Sequence, residues 1–267
     1  MNGERFLPLV LRRVEDAIPQ EFVHKRILVD DHSTDDTARI ARDFNWEVYL
    51  NPSTGISSGA NEALRHVDCK YFMSLEQDLL LSDDWVKKIP KYMEHEDVAV
   101  AQGVRYSTEP TLRKIDAYAY KRVALEGNPE RFGLSMDNNI FKTRFVKEVG
   151  GFPSECPVCT DGILMRRLRE AGHRWLIDTS VVSDHIRPSL KEFYSHQYNL
   201  INRCVLSPVC PTSTNMKRVL RIFITSPVRA AMMALQMRHL PILWVYPKYR
   251  YYRARALTKH LKDCGKV

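Results

Sequence analysis

Two neighbouring aspartates, Asp30 and Asp31, close the apolar run at the start of ILVDDHSTDDT (27–37). In open α/β sheets, ligands bind at the carboxyl ends of the strands. Carboxylates at that position can accept hydrogen bonds from the N–H groups of a base or the O–H groups of a ribose. The rest of the stretch, from Ser33 to Thr37, needs no ligand, because helix capping and the helix dipole favour such residues at a helix start.

A second acidic pair, Glu76 and Asp78, follows the apolar run of KYFMSLEQD (70–78). The two acids are two residues apart at a predicted strand end, so their side chains can lie on the same side. Carboxylates this close repel each other unless a cation lies between them, and a hard divalent metal that also binds a diphosphate is the usual solution. Solvated loop acids without a ligand are the alternative.

The stretch NPSTGISSGANEAL (51–64) joins a predicted strand to a predicted helix. Gly55 and Gly59 would allow tight backbone turns, and Ser57 or Ser58 could cap the helix. Backbone amides at such a helix start can approach a phosphate group.

Asp161 and His185 also stand at the ends of predicted elements. Asp161 follows Thr160 at the start of a helix, where the helix dipole alone or a role as general base would explain it. His185 ends the run VVSDH (181–185). A lone histidine is more often structural than functional, although imidazole is a common metal ligand.

The cysteines suggest a competing metal site. CPVC (156–159), together with Cys204 and Cys210, offers four thiolates, but the C-x5-C spacing of the second pair does not match a usual zinc site. The six cysteines follow no small-domain disulfide pattern, and the chain begins without a signal-peptide pattern. These observations predict a reducing, cytoplasmic environment.

The elements that must position these residues alternate between strand and helix patterns. This alternation predicts an α/β fold with a mostly parallel sheet flanked by helices. The predicted strands are 25–31, 46–50, 70–76 and 97–103, a short strand at NNIFKT (138–143), and one or two strands in 174–185. The predicted helices are 37–44, 57–67, 82–95, 111–125 and 160–171.

Charge divides the chain unevenly. Residues 215–267 contain twelve Lys and Arg against one acid, a net charge of +11, which leaves −3 for the first 214 residues. The segment 207–215 is rich in Pro, Ser and Thr and is the predicted linker, so we expect one domain at 1–206 and a basic helical region at 207–267.

The basic region predicts a docking surface. Its cations alternate with Trp and Tyr, which is typical of amphipathic helices lying in an anionic membrane surface. A solvated basic face with core residues packed on the body is the alternative. Nucleic acid is disfavoured because the body of the chain is acidic.

Taken together, the order and spacing of these stretches over residues 2–197 resemble the family 2 glycosyltransferases. These are inverting enzymes with the GT-A fold, a Rossmann-like architecture, and they use nucleotide-sugar donors. EQD (76–78) stands where the family has D-x-D, and GGF (150–152) followed by TDGILMRRLREAGHRW (160–175) is similar to the family's acidic helix block.

The resemblance implies a role for each candidate residue. Asp161 would be the catalytic base, with Thr160 where an acid is more usual, and Asp78 and His185 would bind Mg²⁺ or Mn²⁺. The implied contacts to the nucleotide-sugar, or in part to the acceptor, are Asp30, Asp31, Ser33, Gly59, Asn61, Glu76, Asn138 and Asn139.

The amino terminus departs from the family pattern. Members begin with an apolar strand ending near P-x-Y-N, whereas this chain opens with MNGERFLPLVLRRV (1–14), which resembles the sequence after that strand. Either the true start lies upstream of Met1, or the sheet lacks its first strand and has an unpaired strand edge.

The implied function is a hexosyltransferase that moves a sugar from a UDP- or GDP-sugar to a glycan hydroxyl or a polyprenyl-linked phosphate. Such an enzyme would contribute to cell-surface glycan or glycolipid synthesis at the cytoplasmic face of a membrane. A catalytically silent nucleotide-sugar binding or scaffold protein is the alternative, because of Glu76, Thr160 and the missing strand.

Overall fold

The computed structural model describes residues 2–126, 134–155, 159–187, 189–205 and 216–263. The chain forms two compact units. The first, the sheet unit, comprises Met1–Arg105, Val123–Ser154 and Thr160–Ile186, and the second, the helical unit, comprises Tyr106–Arg122, Glu155–Cys159 and Arg187–Val267. The helical unit thus begins before the predicted linker, and the whole of that linker (207–215) lies outside the described residues.

The elements follow the predicted order closely. The strands are β1 (Ile27–Asp30), β2 (Glu47–Leu50), β3 (Tyr71–Ser74), β4 (Leu79–Leu80), β5 (Val98–Ser107), β6 (Asn139–Lys142) and β7 (Arg174–His185). The helices are α1 (Leu7–Ala17), α2 (Thr37–Asp43), α3 (Ile56–Arg65), α4 (Trp85–Lys88), α5 (Pro110–Glu126), α6 (Thr143–Glu148), α7 (Thr160–Glu170), α8 (Leu190–Val205), α9 (Met216–Met237) and α10 (Ile242–Asp263), with 3₁₀ turns at Gln20–Phe22 and Pro90–Glu94.

The strands form two sheets. β1 and β2 pair in parallel, and the other strands form a five-stranded sheet in the order β3-β6-β5-β7-β4. Within that sheet β6 is antiparallel to both β3 and β5, and β4 is antiparallel to β7. Because β3 and β5 both run opposite to β6, they point the same way, and the larger sheet is mixed rather than uniformly parallel. The fold is α/β, with a mixed sheet flanked by helices.

The sheet edges agree with the expected lack of a strand. Among the described residues, β1 pairs only with β2 and β3 only with β6. Helix α1 serves both sheets: Leu7 and Leu11 lie in one apolar cluster with side chains of β1 and β2. Val14 and Ile18 lie in another cluster with side chains of β3. Packing of one amphipathic helix thus holds the two sheets without a strand between them.

The core of the sheet unit is centred on β5, the middle strand of the larger sheet. Val98 to Val104 are all fully buried. One face of the sheet packs against a cluster that includes Phe141, Phe152, Leu164 and Trp175. This rigid layer carries the strand ends that hold the candidate residues.

The helical unit has its own apolar clusters, formed by α5, α8, α9 and α10. Leu112 of α5, Tyr194 of α8 and Val245 of α10 meet in one of them. The C-terminal region is helical, as predicted. No helix of the described residues is both long and apolar enough to cross a membrane.

Candidate active site

Glu76, Asp78 and His185 converge at one edge of the larger sheet. Glu76 and Asp78 lie on the turn that joins β3 to β4. β4 pairs with β7 so that Leu79 lies opposite His185, and the backbone N–H of Ile186 donates to the carbonyl oxygen of Asp78 at 2.8 Å. The short pairing of β4 with β7 therefore brings His185 beside Asp78, although the two residues are 107 positions apart in the sequence.

The three side chains are arranged as metal ligands would be. The Nε2 atom of His185 is 3.2 Å from Oδ2 of Asp78, and one ligand atom from each of the three residues lies within 4.8 Å of the others. Carboxylate oxygens and an imidazole nitrogen are a donor set that suits Mn²⁺, and the oxygens also suit Mg²⁺. The residues present therefore fit a divalent cation, with Glu76 as a third possible ligand beside the two that were predicted.

A second group of metal-ligating types, His24, Asp68 and Cys69, lies before β1 and β3, at the opposite ends of those strands. The Nζ atom of Lys25 donates to Oδ2 of Asp68 at 2.7 Å. This hydrogen bond is the main cause that lowers the pKa of Asp68 to about 2. Because Glu76 and Asp78 follow the carboxyl end of β3, where ligands bind in such sheets, we assign the metal to that group.

Arg105 and Asp137 belong to the site but were not predicted. Asp137 is fully buried, and its Oδ2 accepts a hydrogen bond from Arg105 at 2.7 Å. Its other oxygen, Oδ1, is buried and has no hydrogen-bond partner among the described residues. The same Arg105 nitrogen lies 3.5 Å from Oε2 of Glu76. Arg105 is the only charged residue of β5, and that was the available sequence signal.

Asp161 lies in the first turn of α7 and is half-buried. Burial raises its pKa, the N–H of Gly162 opposes this by donating to Oδ1 at 2.7 Å, and the charge of Arg105 also lowers it. The negative charge of Asp137 raises the pKa further. A carboxylate with a raised pKa is a stronger base than an exposed one, as general-base catalysis requires.

Thr160, which stands where the family usually has an acid, is buried. Its Oγ1 atom is 2.7 Å from Oγ of Ser57 at the start of α3. An acid would lose that hydroxyl pair. The threonine therefore has a structural partner that links α7 to α3.

Asp31 is used by the chain itself. Its Oδ1 atom accepts hydrogen bonds from Nδ2 of Asn51 at 2.7 Å and from the N–H of Gly55 at 3.1 Å. Gly55, with φ of +90°, has the left-handed backbone that glycine permits and immediately precedes α3. We call Asp31, Asn51 and Gly55 the loop clamp, because the carboxylate fixes the loop between β2 and α3.

Asp30 is more buried than Asp31, and its Oδ2 accepts from the N–H of Ser33 at 3.1 Å. Its Oδ1 is buried and has no partner within the described part of the chain. Ser33 Oγ accepts from the N–H of Asn2 at 2.8 Å.

The prediction that Ser33 to Thr37 serve only to cap a helix is partly wrong. The N-cap of α2 is Asp36, and its side chain makes no capping hydrogen bond.

Gly59 and Asn61 have positions that differ from the expected loop. Gly59 lies inside α3, so the prediction that it forms a turn is wrong. Asn61 donates from Nδ2 to the carbonyl of Phe152 and accepts at Oδ1 from its N–H, both at 2.8 Å. A Cβ atom on Gly151 would lie 2.6 Å from that Oδ1. Asn61 thus holds the GGF segment against α3, and its sugar contact stays a prediction.

Asn138 and Asn139 are fully buried. Asn138 donates to the carbonyl of Val104 at 3.0 Å and accepts from the hydroxyl of Ser183 at 3.0 Å. Asn139 donates to the carbonyl of Ser135 at 2.6 Å. Both amides stabilise the sheet beside Asp137, and the structure does not bring them to the group of Glu76 and Asp78. Their contacts with a ligand also stay predictions.

The zinc alternative receives no support from Cys159, which is disulfide-bonded and therefore cannot act as a thiolate ligand. The rest of the CPVC motif and Cys210 lie outside the described residues.

The comparisons with known proteins agree with this geometry. The sequence profile of glycosyl transferase family 2 matches residues 2–150, which is more than half of the chain. The chain belongs to glycosyl transferase family 2. A search of curated protein sequences finds no significant match.

Several solved glycosyltransferase structures resemble this family 2 chain in fold. Mannosyltransferase PcManGT from Pyrobaculum calidifontis, solved with GDP-Man and Mn²⁺, has a TM-score of 0.59 at 17% identity over 98% of this chain and 72% of its own. S. aureus TarS 1–349 with UDP-GlcNAc has a TM-score of 0.58 at 11% identity, covering 98% and 89%. Glucosyl-3-phosphoglycerate synthase from Mycobacterium tuberculosis, solved with Mn²⁺, UDP and glucosyl-3-phosphoglycerate, has a TM-score of 0.55 at 16% identity, covering 80% of this chain and 79% of its own.

Proposed function

We propose that this family 2 chain is a metal-dependent, inverting hexosyltransferase that uses a nucleoside-diphosphate sugar. The observation that carries the proposal is the convergence of Glu76, Asp78 and His185. Asp161, a carboxylate of raised pKa, shares the electrostatic environment of Arg105 with Glu76. Glycosyl transfer requires one set of groups that binds the metal and another that accepts a proton. Glu76 and Asp78 suit the first role, and Asp161 suits the second.

Donor binding would use the metal ligands. Asp78, His185 and Glu76 would hold Mn²⁺ or Mg²⁺, which when bound offsets the charge that develops on the leaving diphosphate. Two of the solved relatives contain Mn²⁺ with GDP-Man or UDP, which supports this assignment. Asp30, with one buried oxygen lacking a partner in the described chain, is our choice for the contact with the base or ribose.

Asp161 would accept the proton of the acceptor hydroxyl as its oxygen attacks the anomeric carbon. The new bond forms on the face opposite the leaving diphosphate, so the configuration inverts. Arg105 keeps the neighbouring Asp137 neutralised, and thereby limits the repulsion between that buried charge and Asp161. If the acceptor is a lipid phosphate, which is already anionic, Asp161 would orient it.

We propose a polyprenyl-linked or glycan acceptor at the cytoplasmic face of a membrane, in cell-surface glycan or glycolipid synthesis. The strongly basic C-terminal region supports a membrane-bound acceptor, because anionic lipids attract such segments.

The test is turnover of the full chain with a panel of UDP- and GDP-sugars, Mn²⁺ and a membrane lipid extract. We expect release of nucleoside diphosphate from one donor. Asp161→Asn should reduce this release at least about 100-fold, whereas Asp43→Asn, an exposed acid at the end of α2, should not change it.

A panel without any release would contradict the proposal. Tight Mn²⁺-dependent binding of a nucleoside diphosphate without turnover would instead support the silent binding protein. The split sheet and the hydroxyl pair of Thr160 and Ser57 favour that second candidate.

A further inference from the structure

Helix α9 has two apolar faces, and one of them is covered. Val219 and Ile222 pack with Ala254, Leu257 and Leu261 of α10. About two turns further along, Ala230, Met233 and Ala234 pack with Ile242 and Tyr246. These contacts account for the side of α9 that lies within the helical unit.

The opposite side of α9 carries a second apolar stripe that the described residues leave exposed. Its members are spaced four, four, four and three residues apart, which is the repeat of one helix face. The exposed fractions are 52% for Leu220, 72% for Ile224, 62% for Val228, 50% for Met232 and 80% for Leu235. We call these five residues the docking face. A large exposed apolar patch of this kind marks a surface that binds a partner.

Exposed aromatic residues also lie on α9 and α10. Trp244, at the start of α10, is 69% exposed, and Leu240 beside it is 70% exposed. Phe223 of α9 meets Tyr251 of α10 edge to face, with ring centroids 6.3 Å apart, and both are exposed. Trp and Tyr are the residues enriched at the boundary between lipid headgroups and acyl chains.

The charge around the docking face has a single sign. Lys217, Arg221, Arg229 and Arg238 are exposed along α9 or just after it. Residues 216–262 contain no acid. A partner that is apolar in its interior and anionic at its surface is therefore favoured, and an acidic lipid surface has both properties.

The polar side chains inside α9 are satisfied by the helix itself. The hydroxyl of Thr225 donates to the carbonyl of Arg221 at 2.7 Å, and the hydroxyl of Ser226 donates to that of Ile222. Neither group therefore needs water, which lowers the cost of placing the helix against acyl chains.

We propose that the docking face binds the surface of an anionic lipid bilayer, with α9 in the plane of the interface and Trp244 at headgroup depth. This binding does not depend on the proposed glycosyl transfer, so each can fail without the other. No helix in the described part of the chain can span a bilayer, which agrees with binding on one leaflet.

The test is cosedimentation of the full chain with vesicles of phosphatidylcholine alone or mixed with phosphatidylglycerol. We expect binding to the mixed vesicles only. Ile224→Glu/Leu235→Glu should weaken it by about tenfold or more, since both side chains lose their burial in lipid. The matched control, Ser195→Glu/Gln236→Glu, adds the same charge at exposed polar positions and should bind much as the unchanged protein does.

Brominated phosphatidylglycerol in the same vesicles should quench the fluorescence of the unchanged protein, and Trp244→Phe should remove most of that quenching. Equal binding by the two double variants, or no binding to anionic vesicles, would overturn the proposal. A third outcome would assign the docking face to a second copy of the chain. In that case the unchanged protein would not bind vesicles but would form a dimer in vesicle-free buffer, and Ile224→Glu/Leu235→Glu would dissociate the dimer.

Discussion

The two acidic pairs of the sheet unit look alike in the sequence but differ in what their oxygens contact. The carboxylate of Asp31 binds Asn51 and the N–H of Gly55, both parts of the loop clamp. Asp78 instead lies beside His185 and within ligand distance of Glu76. The hydrogen bonds of Asp31 fix a loop of the chain itself, whereas a cation bound at Glu76 and Asp78 would offset the repulsion between two neighbouring acids.

This difference separates a structural acid from a metal-binding one. Replacing the acids of the loop clamp should change stability even without a ligand. Replacing Asp78 by Asn should cost the free protein less stability, because the change also relieves repulsion between like charges.

The largest expected effect on stability comes from Arg105, the cation that the chain itself supplies beside the metal-binding acids. Arg105→Gln leaves the fully buried Asp137 without its partner, so we expect a loss of about 3 kcal/mol in the free energy of unfolding. Urea denaturation measures this loss. Arg39→Gln is the control, because Arg39 also bridges two acids, Asp36 and Asp43, but in the exposed part of α2. A loss of the same size in both variants would contradict the account.

A smaller effect is expected in the loop clamp. Asp31→Ala removes hydrogen bonds to Asn51 and Gly55, which should lower the free energy of unfolding by about 2 kcal/mol. Asp78→Asn should lower it by less, because the amide keeps the shape of the carboxylate and removes its repulsion with Glu76. Thermal unfolding without metal compares the two variants directly. The distinction between the pairs fails if Asp78→Asn is the more destabilised.

The hydroxyl pair of Thr160 and Ser57 should contribute less again. Thr160→Val leaves the Ser57 hydroxyl without this partner and should cost about 1 kcal/mol. Adding Ser57→Ala should recover part of that loss, since both polar groups are then gone. A double variant whose loss equals the sum of the single losses would show that the two hydroxyls do not interact.

The smallest expected effect is on pH dependence. Burial raises the pKa of Asp161 in the folded protein, so the folded state binds an extra proton between the ordinary aspartate pKa and the raised one. Stability should therefore fall as pH rises through that window, and Asp161→Asn should remove the fall. Melting temperatures measured from pH 3 to pH 8 test this. Identical profiles for the two proteins would mean that the Asp161 pKa is ordinary.

The sequence predicted candidate site residues correctly where their place at the end of a strand or helix could be recognised from neighbouring residues. Asp30, Asp78 and Asp161 stand next to predicted element ends, and those ends are found within a few residues. Local pattern did not reveal strand direction: nothing in Asn139–Lys142 indicates that this strand runs antiparallel between β3 and β5. Direction depends on long-range packing, which a short apolar run does not encode.

The rest of the site depends on contacts between distant residues. β4 has two residues, too few for a periodic pattern, yet it sets His185 beside Asp78. The resemblance implied a ligand contact for Asn138 but could not show that its amide bonds to Val104 and Ser183 across the sheet. The pairing of Arg105 with Asp137 joins residues 32 positions apart.

The most direct test of the central claim, that Glu76, Asp78 and His185 hold a divalent cation, is a Mn²⁺ titration followed by electron paramagnetic resonance. Free Mn²⁺ should decrease on adding the unchanged protein with UDP or GDP, with one site per chain. Asp78→Ala and His185→Ala should each weaken this binding by about 100-fold or more, whereas Asp68→Ala, in the group neutralised by Lys25, should not. Equal Mn²⁺ binding by the Asp78 variant and the unchanged protein would contradict the account.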